Sequence, residues 1–155
     1  MSERLASFIA LSSALTGFNA MKLHATDLAE TYLGVLDQIV PTDIVNDLLD
    51  SFRELPANGD GGPLPAILRD PQLGPIARNV IMLWYCGTWQ QLPEGWRTAF
   101  GASPLDKTHL VSGAAYQAGL QWLAAGAHPP GAKQQGFGAW ALAPAGGRHG
   151  ERDVL

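Results

Sequence analysis

The sequence predicts an all-α protein: a single helical bundle of about five helices with an extended C-terminal arm. Three observations predict it. Apolar residues recur at three- and four-residue spacing through several stretches of the chain. Residues that start and stop helices, such as Ser2, Gly17, Pro41 and Gly87, bound those stretches. Essentially no segment carries the two-residue alternation of a strand.

The stretch 76–89 (IARNVIMLWYCGTW) is the predicted centre. Ile76, Val80, Leu83 and Trp84 form one helical face, Ile81 and Tyr85 widen it, and Gly87 supplies the left-handed stop. Only Arg78 and Asn79 read as solvent-seeking. Asp70 and Pro71 offer a capping carboxylate followed by an N-terminal proline, with Pro75 near enough to the start to be tolerated.

The other elements follow in order. The first helix runs from Glu3 to Thr16, capped by Ser2 and stopped by Gly17, with Leu5, Phe8, Ile9, Ser12 and Leu15 on one stripe and Leu11 beside it. The second spans 27–40, with Thr26 as cap and Asp27 and Glu30 in the first turn, where the helix dipole favours them. Its inward residues are Leu28, Tyr32, Val35, Leu36 and Ile39, and Pro41 ends it. The third spans 43–55, capped by Thr42, with Ile44, Val45, Leu48, Leu49 and Phe52 inside. Residues 56–65 (PANGDGGPLP) are loop by composition, and 66–69 one helical turn. Residues 90–108 are irregular, with Trp96 and Phe100 as anchors. A last helix spans 110–125 and alternates bulky with small residues, among them Ala115, Gly119, Leu120 and Trp122. The predicted organisation is therefore a bundle over 2–126, a docking arm over 127–144 and a flexible tail over 145–155.

At 155 residues with a net charge of −4, the chain is one domain without the basic patch of a nucleic-acid binder. Charged residues make up 15%, where about 25% is usual. Hydrophobic content is an ordinary 46%, so the deficit falls on the residues that cover a surface. Permanently covered surfaces are poor in Lys, Glu and Asp and rich in aromatics, and this chain has five Trp. The composition therefore points to a surface covered by a partner; the alternative is a compact, weakly charged monomer. Cys86 is the one cysteine and reads as a small buried hydrophobe. Residues 5–16 make a poor secretory signal, since Glu3 cancels Arg4 and serines interrupt the apolar run. No run approaches the ~20 apolar residues of a membrane span.

A catalytic constellation does not emerge. His24, His109, His128 and His149 lack a His or Cys neighbour at metal-ligand spacing. His24 and Asp27 can meet across a helix start, where a capping or solvated role is expected. His109, near a predicted helix N-terminus, is expected to be neutral and incidental. The run Gly59-Asp60-Gly61-Gly62 lacks the lysine of a phosphate loop, which argues against a nucleotide or flavin site in this chain. What remains is aromatic. Trp84 is expected in the core. Tyr85 and Trp89, with Phe137, Trp140 and Pro144 of the arm (QGFGAWALAP, 135–144), are the candidate partner interface. No catalytic, cofactor-binding or metal-binding residue is assigned.

Three ordered segments carry a family resemblance: 8–18 (FIALSSALTGF), 81–89 (IMLWYCGTW), and 116–122 (YQAGLQW) followed by 137–144 (FGAWALAP). Together they resemble the small (gamma) subunit of bacterial membrane-associated, FAD-dependent sugar and sugar-alcohol dehydrogenases, the sorbitol, fructose and glucose dehydrogenase group. The resemblance covers about residues 8–144. It implies a non-catalytic subunit without a cofactor of its own. Its partner would be a large FAD-bearing subunit of the glucose-methanol-choline type, with a cytochrome c subunit reached through the complex. The small subunit would accompany, stabilise and help mature the large one, with no direct membrane insertion. It also implies a location on the periplasmic side of the inner membrane by co-export. The chain begins almost directly at the Phe8 helix without the family's usual twin-arginine signal, which leaves a cytoplasmic complex as the alternative. Competing readings are a small helical enzyme or ligand carrier with an apolar pocket beneath Trp84 and Tyr85, flanked by Arg78, Asn79 and His109, and a homo-oligomer that buries its own aromatic patch.

Overall fold

The computed structural model describes residues 2–54 and 62–129. They form an all-α fold around one core. The helices are α1 (Glu3–Thr16), α2 (Ala20–Ala25), α3 (Ala29–Ile39), α4 (Thr42–Glu54), α5 (Leu64–Arg69), α6 (Leu73–Cys86), α7 (Glu94–Phe100), α8 (Gly113–Gln117) and α9 (Leu120–Ala125). A minimal antiparallel ladder joins β1 (Thr88–Trp89) to β2 (His109–Leu110).

Local chemistry sets the first boundary. Ser2 Oγ accepts from Leu5 N at 3.1 Å, and Gly17 closes α1 in the left-handed region with φ +79°. Leu5, Phe8, Ile9, Leu11 and Ser12 are buried along one side, while Leu15 is only half-buried. α2 falls between the first two expected helices, where the sequence suggests no element. Asn19 Oδ1 accepts from Lys22 N at 2.9 Å and caps a six-residue helix whose one buried residue is Leu23. The helix expected from Asp27 starts instead at Ala29, because Asp27 takes φ +58°. An aspartate tolerates that left-handed turn better than most side chains. Thr26 organises the same corner: its hydroxyl donates to Leu23 O at 2.7 Å and accepts from Leu28 N at 3.3 Å.

α6 is central as expected, and packs against α1, α4, α5, α8 and α9. Asp70 Oδ1 accepts from Gln72 N at 2.8 Å and Leu73 N at 2.9 Å, so the carboxylate satisfies amides at the helix start. Ile76, Ala77, Val80, Leu83 and Trp84 are buried, and Gly87 ends the helix at φ +67°. Phe8 stacks on Trp84 at 6.4 Å, and Tyr32 meets the same indole edge-on at 4.9 Å, which ties α1 and α3 to the central helix. Burial pushes the Tyr32 phenol pKa up, because the phenolate loses its hydration there. Ser12 Oγ and Trp84 Nε1 are buried without a hydrogen-bond partner among the described residues.

The expected helix over 110–125 is broken in two. Gly119 adopts φ −53° and ψ 130°, and a Cβ there would stand 2.7 Å from the Tyr85 carbonyl oxygen. Close approach to α6 decides the break, and the backbone opens to allow it. The ends of α1 and α3 are held to α4 by polar pairs at the surface, with Arg4 bridging Asp37 and Asn46. No helix among the described residues is long and apolar enough to cross a membrane.

Candidate functional site

The segment after α6 is held by a polar clasp. Asn79 reads the Gln90 backbone in both directions: Oδ1 accepts from Gln90 N at 2.8 Å, and Nδ2 donates to Gln90 O at 3.0 Å. Asp106 sits opposite, 3% exposed, and accepts from Trp89 Nε1 at 2.8 Å and from Leu92 N at 3.0 Å. Arg97 Nε lies 3.8 Å from the same carboxylate. Gln91 completes the clasp, donating from Nε2 to Asp106 O at 3.1 Å and from its amide to Thr108 Oγ1 at 3.0 Å. Trp96 anchors α7 below, through Nε1 to Gln72 O at 2.8 Å, and its ring meets Phe100 of the same helix at 5.2 Å.

This geometry corrects the expected interface. Trp89 is fully buried, not on a partner surface. Its indole N–H needs an acceptor and finds it in Asp106, while the β1–β2 ladder fixes its backbone against His109. Tyr85 is half-buried and acts as a tie. Its hydroxyl donates to Thr16 O at 2.9 Å, and its ring meets Phe18 edge-on at 6.1 Å. Phe137, Trp140 and Pro144 lie outside the described residues. Trp84 is in the core as expected.

Asn79 is not solvent-seeking but 5% exposed. Its place on the Ile76–Leu83 face could have marked it, since a polar residue on a buried stripe needs partners. Asp106 carried no comparable signal; only the demand of a buried indole for an acceptor points to it. Cys86 is half-buried rather than enclosed, with Sγ 3.6 Å from Gln121 Oε1. His109 is exposed in β2, away from any helix N-terminus, with Nδ1 2.6 Å from Lys107 O. His24 and Asp27 line one shallow cleft with Glu30, Leu5 and Ile9. His128 is exposed and His149 lies outside the described residues. Among the described residues, no three His, Cys, Asp or Glu side chains gather as metal ligands would.

Two clefts could receive something apolar. A small one, about 210 Å³, lies where α6 meets the clasp and is lined by Arg78, Asn79, Met82, Gln91 and Leu92. It contains two of the three polar residues expected around a pocket, but not His109, and it opens on α6 away from Trp84 and Tyr85. The larger, about 480 Å³, lies between α2 and α9, with Ala25, Leu120, Trp122, Leu123 and Pro129 in its lining. Trp122 forms part of it, held by Nε1 to Tyr116 O at 2.8 Å and by the Tyr116 ring at 5.5 Å. Leu123 is 53% exposed there, and Met21, beside Lys22 on α2, is 81% exposed.

Comparison with protein-family models, with curated proteins and with solved structures finds no match to this chain.

Proposed function

We propose that this chain is a non-catalytic small subunit that binds, stabilises and helps mature the FAD-containing catalytic subunit of a sugar or alcohol dehydrogenase complex. One observation carries the reading. The parts of the resembling segments that lie among the described residues, 8–18, 81–89 and 116–122, converge on one packing knot. Phe8 of the first stacks on Trp84 of the second, Phe18 meets Tyr85, and the Tyr85 hydroxyl binds Thr16 O. Gly119 of the third lies against the Tyr85 carbonyl, and Tyr116 and Trp122 flank it. Residues far apart in sequence thus serve one structural purpose, which is what an ordered set of motifs in a scaffold subunit requires. The low surface charge supports a partner as well.

In this reading the chain holds no cofactor, and FAD resides in the large glucose-methanol-choline-type subunit. A cytochrome c subunit receives the electrons, and the complex works on the periplasmic side of the inner membrane after co-export, or in the cytoplasm. Tagged full-length chain, purified from its native host, should bring down a much larger protein with flavin absorbance. A chain that purifies alone as a stable monomer sinks the proposal. One that self-associates without flavin favours the homo-oligomer.

A further inference from the structure

We infer that the groove between α2 and α9 is the part of the described surface that the partner subunit covers, and that it receives an uncharged, apolar ridge of a folded protein. The inference rests on the small-subunit reading and adds its place on the molecule. Charge separates this groove from the two clefts beside α1, and size separates it from the cleft at the clasp, which has Arg78 as its one charged lining residue but a volume of about 210 Å³ against about 480 Å³. The cleft beside α1 and α4 carries Glu3, Arg4, Asp50 and Arg53, and the one beside α1 and α3 carries His24, Asp27 and Glu30. The α2–α9 groove has Lys22 as its one charged lining residue. An ionic or strongly polar partner surface would leave its own charges unpaired there, whereas an apolar ridge loses little hydration.

The groove is also built before anything arrives. The Gly119 contact with Tyr85 and the Trp122–Tyr116 hydrogen bond fix α9 against the core, so Trp122 and Leu123 need little ordering on binding. A held, half-buried indole is the kind of side chain that anchors an interface, and Leu123 stands half-exposed beside it. Where the chain goes next matters too. Ala127 and Pro129 belong to the lining, and Ala127 N donates to Trp122 O at 2.8 Å. The sequence then runs a further 26 residues to Leu155, including the uncharged aromatic stretch 135–144.

The test uses the tagged full-length chain, purified from the native host as wild type, Leu123→Glu, Ala25→Glu and Leu105→Glu, the first two in the groove lining. Leu105 is 56% exposed, lies outside the groove lining and controls for any added surface charge. Circular dichroism should be unchanged in all three variants, because each side chain is exposed. Leu123→Glu should lower the flavin recovered per chain by roughly tenfold, the loss of one contact, and Ala25→Glu should lower it in the same direction. Leu105→Glu should keep wild-type flavin. Wild-type recovery with Leu123→Glu overturns the groove and leaves the small-subunit reading standing. Equal loss in Leu105→Glu overturns it too. A flavin-free wild type overturns both. If light scattering shows a wild-type dimer that Leu123→Glu disperses, the occupant is a second copy and the inference is wrong.

Discussion

Asp106→Ala is the sharpest test of the corrected role of Trp89. The carboxylate accepts from two donors that lie out of solvent, Trp89 Nε1 at 2.8 Å and Leu92 N at 3.0 Å. Truncation leaves both without that acceptor, and each buried unsatisfied group costs about 1–3 kcal/mol. The Arg97 contact adds little, since its guanidinium is 3.8 Å away and its side chain 39% exposed. The sum is a loss of about 2–6 kcal/mol from a domain stability of roughly 5–15 kcal/mol. Asp106→Asn keeps an acceptor oxygen for the indole and should lose roughly half as much. Urea unfolding followed by far-ultraviolet circular dichroism and tryptophan fluorescence reads both. If Asp106→Ala shifts stability by less than about 1 kcal/mol, the clasp does not hold Trp89, and the indole must be reconsidered as a surface residue.

Other perturbations follow from the same contacts. Gly119→Ala should cost about 1–3 kcal/mol by overpacking, because its Cβ meets the Tyr85 carbonyl and its backbone angles are otherwise open to alanine; thermal melting measures it. Ser12→Ala should be neutral or stabilising by up to about 1 kcal/mol, since the hydroxyl is buried without a partner among the described residues; a loss comparable to a core cavity would contradict this. Tyr32 governs an alkaline limb. Its folded pKa lies above the unfolded value near 10, so its contribution is complete below about pH 10 and declines above that by about 1.4 kcal/mol per pH unit. Urea unfolding from neutral to strongly alkaline pH should show a steeper decline in wild type than in Tyr32→Phe, and parallel curves would remove Tyr32 as the cause.

What was legible in the sequence tracks how local its cause is. α1 was readable to the residue, because Ser2, the apolar stripe and Gly17 are all near-neighbour signals. The centrality of α6 and its Asp70 start were readable for the same reason. α2 was not, since six residues with one inward side chain have no periodicity to detect. α7 was missed likewise: Trp96 alone is buried over its seven residues. The break at Gly119 depends on a carbonyl 34 positions away in sequence (119 minus 85), a long-range contact that small-residue spacing hinted at without locating. The interface reading suffered most. Trp89 looked like a surface anchor because it follows a helix stop, and the acceptor that draws it inward lies 17 residues downstream.

That misplacement changes where the case for a covered surface rests. Aromatic abundance loses weight as an argument, because Trp84, Trp89 and Trp96 are all internal and each has a packing or hydrogen-bonding reason to be so. Two tryptophans remain for an interface: Trp122, half-buried on the wall of a nearly uncharged groove, and Trp140, in the arm outside the described residues. Among the described clefts the charges gather beside α1, while the α2–α9 groove has Lys22 alone and the cleft at the clasp Arg78 alone. The α1–α4 side is laced with Arg4, Asp37, Asp50 and Arg53 and suits water. In the proposed reading the α2–α9 side is the one a partner covers. A partner that binds this chain is therefore expected to approach from the side of α9. Charge introduced on the α1–α4 side, for instance Ser7→Lys, should leave the flavin yield unchanged while Leu123→Glu lowers it. If the Ser7 variant lowers it equally, the partner is not confined to one face and this division of the surface fails.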